Sequence, residues 1–511
     1  MSFANIPLRP QLIAAPDLRW LNRVLRHPLT PILLIAAIAR FMWLGHAALW
    51  YDESGTAWMA TLPWARMVAA TAGDMHPPGY LALMWVWVRL FGVSEFAVRL
   101  PSLVFSLLAI PLTWRIGTRI GLNRTALIIG AALMAVMPSQ ILYAQEARMY
   151  ALLQLEVLIA LWAVLEFRWL TFGLTLAAML WTHNYGVVYA VPLNALALVM
   201  VVVECRRKNI AVLATPPLTL LIAANVFALS SWLPWLGVLS GQMREVAAGW
   251  WVPPVTVGGV VDVLHRITWG IAIDLSLRSP AALLVFTLTV YAMGRAVLDA
   301  DRRALFLTLA VLSPIAVAVI ASVLWQPMLV FRALLPVTPL LYLLFGWTFE
   351  KFRLRAREAV ILFTAPMMIV CLITYYPSIA TMKGAPKDLI QMIDIGPDDV
   401  VYHMNEGSVM SWRFYAPESW RQYMPPSEMW RNIGALTDAT RRAMGFNMAR
   451  LDDLPWRHAW LINSYGPTVV AAQDVEAARL LAKYPYRIIL KEVNDVSGVE
   501  IYELFNPAYA K

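Results

Sequence analysis

The sequence predicts a polytopic α-helical membrane protein with eleven spans, followed by an α/β domain outside the membrane. Three observations carry that prediction. The first is composition: of 511 residues 60% are hydrophobic and 14% charged, with a mean hydropathy of +0.61, against roughly one-quarter charged in ordinary soluble domains. The second is that the apolar residues come in runs of about 20, the length that crosses a bilayer. The third is a change near Pro377, after which charge is mixed and apolar segments are short and alternating. The 23 Trp and 18 Tyr suit aromatic belts at headgroup level. The net charge of +9 does not indicate a nucleic-acid partner, because Lys and Arg cluster in short loops between apolar runs, where they orient a membrane chain. Cys205 and Cys371 are the two cysteines, both in or beside apolar runs, so no disulfide framework is expected.

The N-terminal segment, residues 1 to 28, is polar and basic and reads as cytoplasmic. The run after it has no small-residue cleavage site and reads as a retained anchor. The expected spans lie near 29 to 49, 95 to 115, 124 to 143, 148 to 166, 169 to 184, 186 to 203, 210 to 236, 280 to 298, 304 to 325, 332 to 349 and 358 to 376. PPGYLALMWVWVRLFG, at 77 to 92, is shorter, opens on two prolines and carries Arg89 near its end. The positive-inside rule assigns it. The basic loops are the N-terminus with Arg9, Arg19, Arg23 and Arg26, then 115 to 124, 204 to 208, 295 to 303 and 350 to 358. All of them fall on the cytoplasmic side if 77 to 92 lies flat on the outer surface as an amphipathic helix. Residues 29 to 376 then form the membrane domain, and 377 to 511 a domain on the periplasmic side of a bacterial inner membrane.

Within that last domain DVVYHM at 399 to 404, RHAWLIN at 457 to 463, YRIILKEV at 486 to 493 and GVEIYEL at 498 to 504 have strand patterning. EAARLLAKY at 476 to 484 has helical spacing.

This topology gathers polar groups on the outer side. Asp52 and Glu53, in WYDE, follow the first span, and Asp74 and His76, in GDMHPPGY, begin the flat helix. Gln145, Glu146 and Arg148, in YAQEARMYAL, follow the third span; His183 and Asn184 follow the fifth; Arg332, in FRALLPVTP, starts the tenth. Taken singly, these could be solvated loop residues, a helix start or a snorkelling arginine. Ionisable groups at membrane depth cost about 2.5 to 3.5 kcal/mol on insertion scales, so their convergence marks a candidate site. Arg40, near the middle of the first run, must face the bundle interior and find a partner there.

WYDE, HPPGYLALMWVWVRLFGVSEFAVRLPS at 76 to 102, YAQEARMYALL at 143 to 153, THNYG from 182 and FRALLPVTP, taken in order, resemble the GT-C membrane glycosyltransferases of the protein O-mannosyltransferase and lipid A aminoarabinose transferase type. That group, glycosyltransferase family 39-like, includes bacterial relatives that modify lipopolysaccharide. The resemblance covers about residues 28 to 376 and implies a flat surface helix in the first outer loop. It also implies a polyprenyl-phosphate sugar as donor, a lipid, glycan or protein as acceptor, and an acidic base in the first outer loop. Carried onto this chain, the base is Asp52, with Glu53 as its close neighbour in the catalytic pair. His76, Glu146, Arg148, His183 and Arg332 fall on substrate-binding positions, the arginines being suited to phosphate. Some relatives use a divalent metal and an Asp-based second loop. This chain has Gln145-Glu146-Ala147-Arg148 there, and Glu53, His76 and Glu146 are the conceivable ligands, without a tight HxxxH spacing, so metal use stays open.

The competing class is a lipid or polysaccharide transporter, in which the same charges would line a pathway. Transporters often carry internal repeats and broken helices near the midplane. No repeat is visible here, and the charges sit at one surface. A third class, an assembly factor that uses the α/β domain for binding, would have no need of Asp52.

Overall fold

The computed structural model describes residues 24–212, 215–247, 252–269, 275–383, 386–426, 438–465, 471–493 and 498–509. Arg9, Arg19 and Arg23 lie outside the described residues. Each of the eleven apolar runs is helical. Among the described residues seven helices are long and apolar enough to cross a membrane: Glu95–Arg119, Gly186–Arg207, Pro216–Met243, Pro280–Leu298, Arg302–Leu324, Phe331–Lys351 and Leu354–Pro377. An eighth candidate is Arg124–Val136 with Pro138–Ala144, bent by 54°. The other three runs hold shorter helices, Leu29–Phe41, Tyr150–Leu165 and Trp169–Thr182, of 13, 16 and 14 residues. At 1.5 Å per residue these are about 20 to 24 Å long, because the ends of those apolar runs are used in turns. Gly79–Phe91, also 13 residues, is the helix at the position expected to lie flat.

Small residues set the packing, as they do where helices must approach closely in a bilayer. A Cβ on Gly346 would stand 2.4 Å from the Ala126 carbonyl oxygen, and one on Gly130 would stand 2.8 Å from Leu343 Cδ2. The helices Arg124–Val136 and Thr338–Lys351 are therefore in backbone contact. Arg40 finds its partners at the bend. Pro138 has no N–H to offer the preceding turn, and Arg40 donates from Nη2 to the Met134 carbonyl at 2.7 Å and from Nη1 to that of Ala135 at 2.8 Å. Its Nε donates to Ser106 Oγ at 2.9 Å. A mid-span cation thus answers carbonyls at a helix break rather than a carboxylate.

The two ends of the bundle differ. At one end Arg303 donates to the Gly121 carbonyl at 3.0 Å, Arg119 pairs with Glu166 at 3.2 Å and Lys351 with Asp299 at 3.6 Å. The His27 ring lies 5.2 Å from that of Trp114. Three basic loops and the described start of the chain therefore meet there. Away from these loops, Asp52 contacts Arg332 and Asn184 contacts Met75.

Among the described residues the C-terminal part holds a five-stranded sheet of order β2-β1-β3-β5-β4, with β1 Val400–His403, β2 Gln422–Tyr423, β3 His458–Tyr465, β4 Tyr486–Val493 and β5 Gly498–Phe505. β1 runs parallel to β2 and β3, and the β4-β5 hairpin adds antiparallel to β3. Four strands occupy the segments read from the sequence; β2, with two residues, is too short to leave a pattern. Alternation in the strands splits the core between faces. Val400, Tyr402, Leu461 and Leu504 pack with Leu480 of the Ala471–Lys483 helix. Val401, Trp460, Ile462 and Ile501 pack with Trp412 of the Glu406–Tyr415 helix.

Candidate active site

The helix Tyr51–Thr61 carries Asp52 and Glu53 in its first turn, where the positive end of the helix dipole favours carboxylates. The two residues then part company. Glu53 is fully buried. Its Oε1 accepts from Arg99 Nε at 2.8 Å and from the Ala147 amide at 2.9 Å, and its Oε2 accepts from Arg99 Nη2 at 2.8 Å. Arg99 spends its other donors on the carbonyls of Leu44, Ala47 and Ala48, at 2.8, 2.7 and 2.8 Å. The pair fastens the loop before the helix to the span Glu95–Arg119. Asp52 keeps 16% of its side chain exposed and pairs through Oδ2 with Arg332 Nη1 at 2.8 Å.

Arg332 lies in the 3₁₀ turn Phe331–Val337 that opens its span, with its guanidinium 5.8 Å from the centre of the Tyr150 ring. Arg148 approaches from the loop after Pro138–Ala144. Its Nη1 is 3.3 Å from Thr56 Oγ1 and 3.5 Å from the Asp52 carbonyl, distances at the weak limit of hydrogen bonding. Its Nε is buried and has no hydrogen-bond partner among the described residues. Each residue of Gln145-Glu146-Ala147-Arg148 has a separate task. Gln145 donates to the carbonyls of Arg40 and Met42 at 2.9 and 2.7 Å and accepts from the Tyr375 hydroxyl at 3.2 Å. Buried Glu146 adds negative charge to the field at Arg332. The Ala147 amide holds Glu53, and Arg148 faces Asp52.

The histidines complete the arrangement. A Cβ on Gly79 would stand 2.6 Å from the Trp181 carbonyl oxygen, so the start of the Gly79–Phe91 helix sits directly on the end of Trp169–Thr182. Asn184 Nδ2 donates to the Met75 carbonyl at 2.7 Å. This brings the His76 and His183 rings to 4.8 Å between centroids, with His183 5.9 Å from Tyr150. His183 Nδ1 accepts from the Tyr185 amide at 2.9 Å, which places its ring proton on Nε2. His76 Nδ1 is buried without a hydrogen-bond partner among the described residues. Burial, then His183, Arg148 and Arg332, hold the His76 imidazole well below the ordinary histidine range. Burial also raises Asp74, against the pull of Arg148. Two guanidiniums and two imidazoles, with one of those arginine N–H groups and one ring nitrogen unmatched, therefore surround Asp52 and Tyr150. That set is suited to an anion.

No family model and no curated protein matches the chain. Solved structures do. The ArnT of Cupriavidus metallidurans in the apo state aligns over 93% of this chain and 97% of its own, at 14% identity and a TM-score of 0.58. The same protein bound to undecaprenyl phosphate aligns over 95% and 98%, at 14% identity and 0.55. The chain has the GT-C fold. An Archaeoglobus fulgidus oligosaccharyltransferase aligns less well, over 85% of this chain and 68% of its own, at 11% identity and a TM-score of 0.45.

Within this GT-C fold the loop residues singled out by sequence come together, but with unequal surroundings. Asp52, Arg148 and Arg332 are in contact, the histidines pair beside Tyr150, and Glu53 is withdrawn into its own ion pair. Arg99, Tyr150 and Thr56 were not singled out. Arg99 carried the same signal as Arg40, a charge inside an apolar run. The ligand set Glu53, His76 and Glu146 does not fit a divalent metal: both Glu53 oxygens are engaged, and no group of three or more His, Cys, Asp or Glu side chains that could hold a metal ion occurs among the described residues.

Proposed function

We propose that this chain is an inverting glycosyltransferase that moves a sugar from a polyprenyl-phosphate donor to a lipid, glycan or protein acceptor at the outer face of a bacterial cytoplasmic membrane. The contact between Asp52 and Arg332, beside the underused Arg148, carries the reading. It sets a carboxylate and phosphate-binding cations at one place, on a fold shared with a protein crystallised with undecaprenyl phosphate.

In this reading the acceptor hydroxyl oxygen forms a bond to the anomeric carbon, and the bond from that carbon to the phosphate oxygen breaks, with inversion. Asp52 takes the hydroxyl proton, and the bond electrons leave with polyprenyl phosphate. Arg148 and Arg332 hold that phosphate. A guanidinium has five donors, so Arg332 can keep Asp52 and still face the anion. His76 and His183, as neutral imidazoles, offer hydrogen bonds without adding charge. Glu53 acts through position, by fixing the turn that presents Asp52.

Residues 377 to 511 lie outside the membrane in this proposal, and 77 to 92 lie on its outer surface. The meeting of basic loops at the opposite end supports that orientation. Purified protein given a panel of labelled polyprenyl-phosphate sugars tests the activity: transfer with release of polyprenyl phosphate supports it, and lipid translocation without transfer supports a transporter instead. External labelling of a cysteine introduced at position 120 would overturn the orientation.

A further inference from the structure

The helix that presents Asp52 has no side-chain cap of its own: its N-cap residue is Trp50, which makes no side-chain cap hydrogen bond. Ser54 of the helix donates to the Leu49 carbonyl at 2.9 Å, and the rest of the turn before it is held from outside. Arg99 takes the carbonyls of Ala47 and Ala48, and the next amide, that of Leu49, donates at 2.7 Å to the hydroxyl of Tyr415, the last residue of the Glu406–Tyr415 helix. The same hydroxyl donates to Glu95 Oε1 at 3.1 Å, and Lys387 also pairs with Glu95. Glu95 lies one helical turn before Arg99 on the same face of its span. Adjacent rungs of that span therefore grip the Asp52 turn: Arg99 directly through Glu53, and Glu95 through the C-terminal domain.

The rest of the helix is bedded on the same domain. Ser54 Oγ lies 3.4 Å from Ser411 Oγ, and Met410 Cε lies 3.4 Å from where a Cβ on Gly55 would stand. Trp58 Nε1 donates to the Met444 carbonyl at 2.9 Å, under the Arg413 guanidinium 5.2 Å away. Met59, Met67, Val409, Met410, Met424 and Met444 close one apolar cluster across the junction. Burial, with Glu95 beside it, keeps the Tyr415 hydroxyl protonated, as a group that must donate and accept at once requires.

We propose that Tyr415 is a positioning residue for Asp52, and that the C-terminal domain serves as the bed on which the carboxylate is aligned. The proposal rests on the reading of Asp52 as base. A hydroxyl that fixes the Leu49 peptide fixes the origin of a helix whose third residue onward is already packed. A shift of about 1 Å at a reacting group costs up to about a hundredfold in rate.

The test uses full-length protein and Tyr415→Phe, which removes one oxygen. The expected result is a kcat lowered roughly tenfold, a donor KM within about twofold, an unchanged melting temperature, and faster hydrogen exchange of the amides at 49 to 56. Lys387→Gln, which loosens Glu95 from the surface, should move the same readouts in the same direction by less. An unchanged kcat in active enzyme overturns the proposal, and so does unchanged exchange at 49 to 56 whatever happens to turnover. Wild-type protein that transfers from no donor overturns the base reading and the positioning role of Tyr415 in turnover with it, whereas the exchange measurement separately shows whether the latch exists.

Discussion

Arg99 and Arg148 stand on either side of the Asp52-Glu53 turn, both buried, and they are used in opposite ways. Arg99 has each of its five N–H donors matched, two by Glu53 and three by carbonyls of the preceding loop. Arg148 makes two long contacts from Nη1, while its buried Nε has none among the described residues. A buried donor left unmatched costs about 1 to 3 kcal/mol, more when charged. A saturated guanidinium belongs to the architecture. An unsaturated one of equal burial is a place where a further acceptor is expected. The same division separates the two carboxylates: Glu53 is consumed by structure, and Asp52 keeps an exposed edge and one ion pair.

The largest expected effect tests the Asp52 side of this comparison. Asp52→Asn is nearly isosteric and removes only the capacity to take a proton, so turnover should fall by ~10² to 10⁴. Protein yield and donor-lipid binding should stay near wild type. Wild-type transfer by this variant, measured on purified protein with its donor, would remove Asp52 from the mechanism.

The arginines should then fail differently. Arg99→Met leaves Glu53 buried without its cation, a loss of about 3 to 5 kcal/mol for a broken buried pair, and should show as poor yield and a lowered melting temperature. Arg148→Gln should leave the melting temperature near wild type and weaken donor binding by tenfold or more, on the order of one charge-assisted hydrogen bond at about 1.5 kcal/mol. A melting curve that falls equally in both variants would erase the distinction. Arg332→Lys keeps the charge and loses the planar fork. It should cost roughly tenfold in turnover, and full activity would reduce Arg332 to an interfacial anchor.

Much of this was legible in the chain. Spanning length placed the eleven helical runs, and alternation placed four of five strands, because burial in a bilayer or a sheet imposes a period on the residues themselves. The loop residues of the candidate site were legible through the cost of placing charge at membrane depth. What could not be read was the difference between Asp52 and Glu53. Adjacent residues on a helix point about 100° apart, and which of them is locked into a fully buried ion pair depends on Arg99, some 46 positions along the chain from Glu53. Tyr415 is farther still from Leu49, 366 positions along the chain, and nothing local to either residue announces the contact.

The smallest expected effect on turnover extends the comparison from arginines to histidines. His403, in β1, is buried with both ring nitrogens engaged, Nδ1 with Ser408 Oγ at 3.2 Å and Nε2 with Gln422 Oε1 at 3.2 Å. His76 is partly buried, with a buried Nδ1 unmatched among the described residues. Burial pushes His403 down to about 3 from the ordinary 6.5, so below pH 6.5 the unfolded chain takes up a proton that the folded chain refuses. The stability His403 contributes is therefore complete above about pH 6.5. It declines by roughly 1.4 kcal/mol per pH unit as pH falls, and is lost once pH reaches about 3. His403→Gln can keep polar contacts without titrating, so it should flatten the acid limb of the melting-temperature profile in the full-length protein and leave turnover at neutral pH unchanged. His76→Gln should instead weaken donor binding at neutral pH; because the His76 imidazole is also held below its ordinary range it too flattens the acid limb, so donor binding is the readout that separates the two. If His403→Gln instead abolished transfer at neutral pH, saturation of hydrogen bonds would not separate structural from functional polar groups here, and the case for Arg148 as a phosphate ligand would weaken with it.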